Sequence, residues 1–121
     1  MKIAVTTSGK SLSSAVDPRF GRCANFIIVD PDSMEFQVVE NSQNLNLSQG
    51  AGIQAGKTIA ETGAAVLITG NCGPKAFMVL EQAGVNIITG AGGGTVEQVI
   101  EQYKNGEFQN AAQANVEGHW V

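Results

Sequence analysis

Residues 65–94 read AVLITGNCGPKAFMVLEQAGVNIITGAGGG, and this segment contains an internal repeat that indicates the fold class. Within it, Leu67-Ile68-Thr69-Gly70 recurs as Ile87-Ile88-Thr89-Gly90 twenty residues later. Each copy ends a short apolar run of the strand type, carries a glycine directly after it and then opens a helix-like segment. Two consecutive strand–turn–helix units of this size predict parallel strands joined by helical crossovers.

The rest of the chain adds three strands before this stretch and a helix on either side of it. Short β-rich runs predict strands, and helical periodicity that stops at a glycine predicts helices. The predicted strands are 2–7, 24–30, 34–41, 65–69 and 85–89, and the predicted helices are 51–62, 74–83 and 95–105. The turn at Pro31-Asp32-Ser33 makes the second and third strands an antiparallel hairpin. Thr95 and Gln98 have the spacing of a capping box.

These elements predict one α/β topology. Strands one, four and five are parallel, strand two is antiparallel to strand one, and strand three is parallel to strand one again. A right-handed crossover from strand three through the first helix places strand four beside strand one. The predicted fold is therefore a five-stranded mixed sheet in the order 3-2-1-4-5, with strand 2 antiparallel.

Length and composition limit the class of protein. With 121 residues, the chain is predicted to form a single domain over 1–121, in which 107–121 is a tail without a clear pattern. The net charge of −4 argues against a nucleic-acid or anionic-membrane surface. No apolar run approaches the ~20 residues of a membrane span, and no signal peptide is visible. We therefore expect a cytoplasmic protein, a monomer or weak homodimer, whose two cysteines stay reduced.

The topology brings several loops to one edge of the sheet. Loop 8–23 leaves the carboxyl end of strand one and enters strand two at the same edge. Loops 42–52, 70–74 and 90–95 also lie at the carboxyl ends of parallel strands. Ligands bind at this edge in open α/β sheets, near the point where the strand order reverses. The sequence therefore predicts a ligand pocket there.

Three glycine-rich helix starts face this edge, at 50–52, 72–74 and 92–95. Helix N-termini carry free N–H groups and about half a positive charge each, so together they suit an anion. The predicted contacts to an anionic metal cluster are Arg19, Arg22, Gly50, Gly52, Gly73, Lys75, Gly93 and Gly94. The local charge is thus predicted to be positive in a chain that is acidic overall.

Cys23 and Cys72, predicted on this same edge, have three interpretations. They are two unrelated buried residues, as cysteine often is, or a disulfide or redox pair, or ligands of a metal cluster. For ligation, a thiol at a helix start is expected to have a lowered pKa and to be available as thiolate. Two thiols do not complete the Cys₄ set of an ordinary iron–sulfur cluster. A cluster that contacts both would need exogenous sulfides, a second subunit or mostly non-covalent hydrogen bonds.

The remaining motifs indicate no enzyme. The run from Ala51 to Thr58 fits a relaxed phosphate-loop pattern, but polar loop precedes it and no convincing magnesium-binding acid follows. His119 stands alone in the tail and is interpreted as a surface residue. Asp17-Pro18-Arg19 is interpreted as a turn with an internal charge pair. Neither a Ser/His/Asp set nor a paired-carboxylate site can be assembled.

A family resemblance is carried by MKIAVTTSGK at 1–10, VDPRFGR at 16–22, QGAG at 49–52, GNCGP at 70–74, and the last helix with Thr95-Val96-Glu97, Tyr103 and Gly106. In this order they make the chain resemble the dinitrogenase iron–molybdenum cofactor biosynthesis family over nearly its whole length. The resemblance implies a ribonuclease-H-like, three-layer α/β/α motif with a mixed sheet, in agreement with the strand order above. It also implies a small carrier similar to nitrogenase accessory factors, which binds iron–sulfur or molybdenum-containing clusters.

These considerations predict a non-catalytic binding, carrier or accessory protein for an anionic cluster or its precursor. Cys23 and Cys72 are the predicted metal contacts, and the expected partner is a protein that donates the cluster or accepts it. The alternative from another class is a regulatory or protein-interaction module with no bound metal.

Overall fold

The computed structural model describes residues 1–41, 50–111 and 114–115. Its strands are β1 (Ile3–Thr7), β2 (Asn25–Val29), β3 (Phe36–Glu40), β4 (Val66–Ile68) and β5 (Asn86–Ile88). Its helices are α1 (Ala51–Thr62), α2 (Pro74–Gln82) and α3 (Val96–Lys104). Every strand and helix predicted from the sequence is present.

The strands form one sheet in the order β3-β2-β1-β4-β5. β1 pairs antiparallel with β2 and parallel with β4, so Ala4 lies opposite both Ile28 and Leu67. β4 pairs in parallel with β5, with Leu67 opposite Ile87, so the repeated motif occupies equivalent positions on neighbouring strands. The predicted strand order and the antiparallel second strand are confirmed.

Strand side chains alternate between two cores, because successive residues of a strand point to opposite faces of the sheet. On one face, the core combines Ala4, Phe26, Ile28, Leu67 and Ile87 with Ala55, Ile59, Ala76, Phe77 and Leu80 of α1 and α2. On the other, it combines Ile3, Val5, Ile27, Val29, Val66, Ile68 and Ile88 with Val96, Val99 and Ile100 of α3. We call these the α1/α2 face and the α3 face of a three-layer α/β/α domain.

The helix ends follow the signals in the sequence. The Thr95 side chain accepts the Gln98 N–H (3.3 Å), and the Gln98 side chain accepts the Thr95 N–H (2.9 Å), which confirms the capping box. α1 ends at Gly63, whose φ of 78° is a left-handed conformation that glycine adopts without strain. These local signals mark the start of α3 and the end of α1.

The third strand begins later than predicted. Met34, expected in the strand, has a φ of 63° and lies in the turn, where its N–H donates to the Asp30 carbonyl (2.8 Å). β3 therefore starts at Phe36 and forms one edge of the sheet, with all five of its residues exposed or half-buried. No helix in the described ranges is long and apolar enough to cross a membrane.

The described part of the tail follows the outer edge of β5. Phe108 packs on the α3-face core, the Ala111 N–H donates to the Ile87 carbonyl (2.7 Å), and Ala114 packs on the α1/α2-face core. This segment therefore crosses from one face of the sheet to the other. His119 and residues 42–49 lie outside the described residues.

Candidate functional site

The loop between β1 and β2, residues 8–24, folds back across the carboxyl ends of the parallel strands. The Asp17 N–H donates to the Thr6 carbonyl (2.9 Å), and the Thr6 hydroxyl donates to the Asp17 carbonyl (2.7 Å). The hydroxyl oxygens of Thr6 and Thr69 are 3.0 Å apart, so the ends of β1 and β4 are tied to the loop and to each other. We call this edge the rim; it comprises loop 8–24 and residues 50–52, 70–76 and 90–95.

Gly70 sets how closely the loop approaches β4. A Cβ at this position would lie 2.7 Å from the Pro18 Cα and 2.8 Å from the Pro18 carbonyl oxygen, both backbone atoms. The Asn71 N–H donates to the Pro18 carbonyl (2.7 Å), and the Asn71 carbonyl accepts the Phe20 N–H (3.2 Å). These contacts hold residues 18–20 against the turn that starts α2. Arg19 and Asn71 form an isolated parallel β-bridge there.

The start of α3 is already occupied by the protein itself. The Val96 N–H donates to the Ser14 carbonyl (3.0 Å), and the Glu97 N–H donates to the Leu12 carbonyl (2.9 Å). The capping box satisfies the next N–H, that of Gln98, and the N–H of Thr95 itself. The prediction that this helix start offers free donors to an anion is therefore wrong, because loop 8–24 and the capping box use them.

α1 and α2, in contrast, begin at the rim without caps. Gly50 precedes α1 in the left-handed conformation (φ 83°) and Gly73 precedes α2, and a glycine has no side chain with which to cap its helix. The two helices approach closely, because a Cβ on Gly56 would lie only 3.0 Å from the Val79 Cγ1. In the described part of the chain, two of the three predicted helix starts thus lack the side-chain cap that α3 has, and both lie on the α1/α2 face.

The three predicted cations lie in loop 8–24 and on the first turn of α2. The Arg19 Nε lies 3.9 Å from the Asp17 carboxylate, which also accepts the Arg19 N–H (2.9 Å), so the predicted internal charge pair is present. The Arg19 side chain is 53% exposed, whereas the Asp17 side chain is only 13% exposed. Because the guanidinium contacts the carboxylate only through Nε, at 3.9 Å, its other N–H groups can bind a ligand as well. Lys75 is exposed on the first turn of α2, and Arg22 is half-buried in the loop.

Cys23 and Cys72 belong to two segments of the rim, but their side chains are buried beneath its surface. Both are free, fully buried, and part of the same core on the α1/α2 face. Burial raises the pKa of Cys72 to about 12. Burial, reinforced by the Asp17 charge, raises the pKa of Cys23 well above its usual range, and its thiol donates to the Phe20 carbonyl (3.3 Å). The expectation of a lowered thiol pKa is wrong, because apolar burial outweighs the helix start.

Two asparagines that the sequence analysis missed hold the two cysteine segments. The buried Asn41 amide donates to the Cys23 carbonyl (2.9 Å) and to the Gly21 carbonyl (3.3 Å). The Asn115 side chain accepts the Cys72 N–H (2.8 Å) and donates to the Gly70 carbonyl (3.2 Å). Asn41 ends the third predicted strand and its polarity there is a weak signal; no local pattern marks Asn115.

A cleft of about 560 Å³ lies between the 90–95 segment of the rim and α3, and neither cysteine lines it. It is lined by Gly90, Ala91, Gly92, Gly93, Gly94, Gln98, Val99, Glu101, Gln102, Asn105, Glu107 and Phe108. Gly93 and Gly94 thus border a cavity beside α3, whereas Gly50, Gly52, Gly73 and Lys75 belong to the starts of α1 and α2. Across residues 1–41, 50–111 and 114–115, no group of three or more His, Cys, Asp and Glu could hold a metal ion.

Known proteins resemble the chain in both sequence and structure. A family model described as dinitrogenase iron-molybdenum cofactor matches residues 1–106. The apo form of the orange protein from Desulfovibrio gigas is 43% identical, with a TM-score of 0.93 over 95% of this chain and 96% of that one. A putative NifB protein from Thermotoga is 34% identical, with a TM-score of 0.81 over 97% and 98% of the two chains. An uncharacterized protein of Methanocaldococcus jannaschii is 31% identical over 90% of each chain.

Proposed function

Because this chain belongs to the dinitrogenase iron-molybdenum cofactor family, we propose that it is a non-catalytic carrier or accessory protein for an anionic iron–sulfur or molybdenum-containing cluster or its precursor. The cargo binds at the rim on the α1/α2 face, and the partners are proteins that donate the cluster or accept it. The observation that carries the proposal is the start of α2, which has no side-chain cap and lies beside Arg19 and Lys75, together with the start of α1 on the same face, in a chain with a net charge of −4.

The groups at this rim suit an anionic cluster that is held without protein thiolates. Helix-start N–H groups donate hydrogen bonds to anionic sulfide or oxo atoms, and the exposed guanidinium and ammonium groups add full positive charge. Cys23 and Cys72 are buried and protonated, so the cargo brings its own sulfide. Ligation by either thiol stays a prediction, and it requires the surrounding segment to open.

Anaerobic reconstitution tests this proposal. The protein is produced with iron, molybdate and sulfide, and its visible absorption spectrum and metal content are measured. We expect a coloured product with bound metal. A colourless, metal-free product would contradict the proposal and favour the alternative of a regulatory or protein-interaction module.

Charge variants locate the cargo. Arg19→Gln and Lys75→Gln are each expected to weaken cluster binding about tenfold, because each removes a charge-assisted contact. Lys104→Gln makes the same charge change at the far end of α3 and serves as the matched control, with binding unchanged. Equal losses in all three variants would show that only net charge matters and would place the cargo elsewhere.

A cysteine variant separates hydrogen-bonded cargo from thiolate-ligated cargo. Cys23→Ala combined with Cys72→Ala is expected to retain the cluster, because neither sulfur reaches the rim surface in this arrangement. Loss of the cluster from a folded double variant, as judged by circular dichroism, would instead establish thiolate ligation.

A further inference from the structure

The tail forms a strap that ends on the Cys72 turn. We define the C-terminal strap as residues 107–111 and 114–115, which lie outside the 1–106 segment matched by the family model. It starts after α3, at the edge of the sheet opposite the rim, pairs with β5 through the Ala111 N–H (2.7 Å), and reaches the rim at Asn115. The strap therefore packs on both faces of the sheet and ends at the turn before α2.

Asn115 concentrates four hydrogen bonds on this turn. Its Oδ1 accepts the Cys72 N–H (2.8 Å), and its own N–H donates to the Cys72 carbonyl (3.2 Å). Its Nδ2 donates to the Gly70 carbonyl (3.2 Å) and to the Asn71 Oδ1 (3.2 Å). The Cys72 N–H needs an acceptor, and the Gly70 and Asn71 oxygens need a donor. These partners therefore fix which end of the Asn115 amide carries the oxygen and which carries the nitrogen.

The bonds to Asn115 occupy both backbone polar groups of Cys72. The Cys72 side chain is fully buried in the α1/α2-face core, and its sulfur makes one long contact, to the Gly73 carbonyl (3.7 Å). The backbone of the turn thus directs the thiol inward, and Asn115 holds that backbone in place by hydrogen bonds from the solvent side. Asn115 itself is exposed, so these hydrogen bonds can open without disrupting a core side chain.

We propose that the strap is a latch on the Cys72 turn, and that Asn115 is the positioning residue that keeps the Cys72 N–H and thiol away from a ligand at the rim. Opening of the latch frees one more N–H next to the start of α2 and lets the turn present the thiol. The latch deepens the proposed function, because it regulates the same rim. Its test uses cargo-free protein, so its failure is distinct from a failure of cluster binding.

Thiol labelling of the full chain measures the latch. The cargo-free protein is reacted with iodoacetamide, and the alkylation rates of Cys72 and Cys23 are followed separately by peptide mass spectrometry. In Asn115→Ala we expect Cys72 to react about tenfold faster, because the side-chain hydrogen bonds that close the turn are lost. Cys23, which is held by Asn41 and not by the strap, is the internal control and keeps its rate.

Two further variants make the result specific. Asn110→Ala changes an exposed asparagine of the strap that lies away from the turn, and it is expected to leave both rates unchanged. Asn115→Asp keeps the acceptor for the Cys72 N–H but loses the two side-chain donations, and it is expected to give an intermediate rate for Cys72. The inference is overturned if Asn115→Ala leaves the Cys72 rate unchanged, or if it accelerates both cysteines equally, as general destabilisation would.

Discussion

Replacement of Gly70 by alanine tests whether the contact between loop 8–24 and β4 builds the rim. The added Cβ would lie 2.7 Å from the Pro18 Cα, 2.8 Å from its carbonyl oxygen and 3.1 Å from its carbonyl carbon. These are backbone atoms, so no side-chain rotation relieves the contact. The loop has to move away from the end of β4.

The size of the effect follows from what this movement breaks. Overpacking in a close contact costs about 1–3 kcal/mol. Movement of Pro18 also lengthens the Asn71 N–H to Pro18 carbonyl bond (2.7 Å) and the Phe20 N–H to Asn71 carbonyl bond (3.2 Å), each worth about 1 kcal/mol. Because the loop relieves the overlap by giving up these bonds, the two costs are not fully additive. We expect Gly70→Ala to lower the free energy of unfolding by about 2–4 kcal/mol.

Urea unfolding followed by circular dichroism measures this loss, and Gly92→Ala is the matched control. Gly92 also faces Pro18 from the rim, but a Cβ there would meet only the Pro18 Cβ, at 3.9 Å, an ordinary van der Waals distance. We expect Gly92→Ala to change the free energy of unfolding by less than about 0.5 kcal/mol. Equal losses in the two variants, or a loss below about 0.5 kcal/mol for Gly70→Ala, would refute this account of how the loop is seated.

Two further predictions concern the α1/α2 face. Gly56→Ala should lower the free energy of unfolding by about 1 kcal/mol, because the new Cβ lies 3.0 Å from the Val79 Cγ1 and this close contact outweighs the gain in helix propensity. In a double-mutant cycle, Val79→Ala should remove that penalty. Additive losses of the two variants would contradict the contact. Because the pKa of Cys72 is raised to about 12 from an ordinary value of 9.0, its contribution to stability is complete below pH 9 and is lost as pH rises toward 12. Urea titrations between about pH 8 and pH 11 should show a shallower decline for Cys72→Ala than for the parent, and identical declines would show that the thiol titrates alike when folded and unfolded.

The strand order was predictable because the signals for it are local. The repeat of Leu67-Ile68-Thr69-Gly70 at 87–90 marks two parallel strands, and the turn at 31–33 marks the hairpin. The capping box at Thr95 and the glycine after α1 are equally local. Each feature lies within a few residues of the element that it controls, so periodicity and turn chemistry reveal it.

The state of the thiols was not predictable in the same way. A cysteine at a glycine-rich helix start indicates a reactive thiolate, but the pKa depends on what covers the sulfur. Cys72 is covered by a core that draws on both α1 and α2 and packs against Ala114 of the strap. Asn115 acts on the Cys72 turn from 43 residues away in the chain. No local pattern encodes such contacts, so the sequence left the burial of the two cysteines as one interpretation among three.

Loop 8–24 gives the three similar glycine-rich helix starts different roles: one has a structural role, and two remain candidates for binding. All three fit the same rule for anion binding, yet the carbonyls of Leu12 and Ser14 fill the start of α3. The same loop is held on β4 through Gly70, which places Arg19 beside Asn71 at the start of α2. Loop 8–24 therefore occupies the N–H groups at the start of α3, while it places the cation Arg19 next to the start of α2. The proposed cargo site is asymmetric for this reason. It lies on the face of α1 and α2, where, among the residues that the structure describes, no N-cap side chain covers the first turn, and not at the longest glycine run.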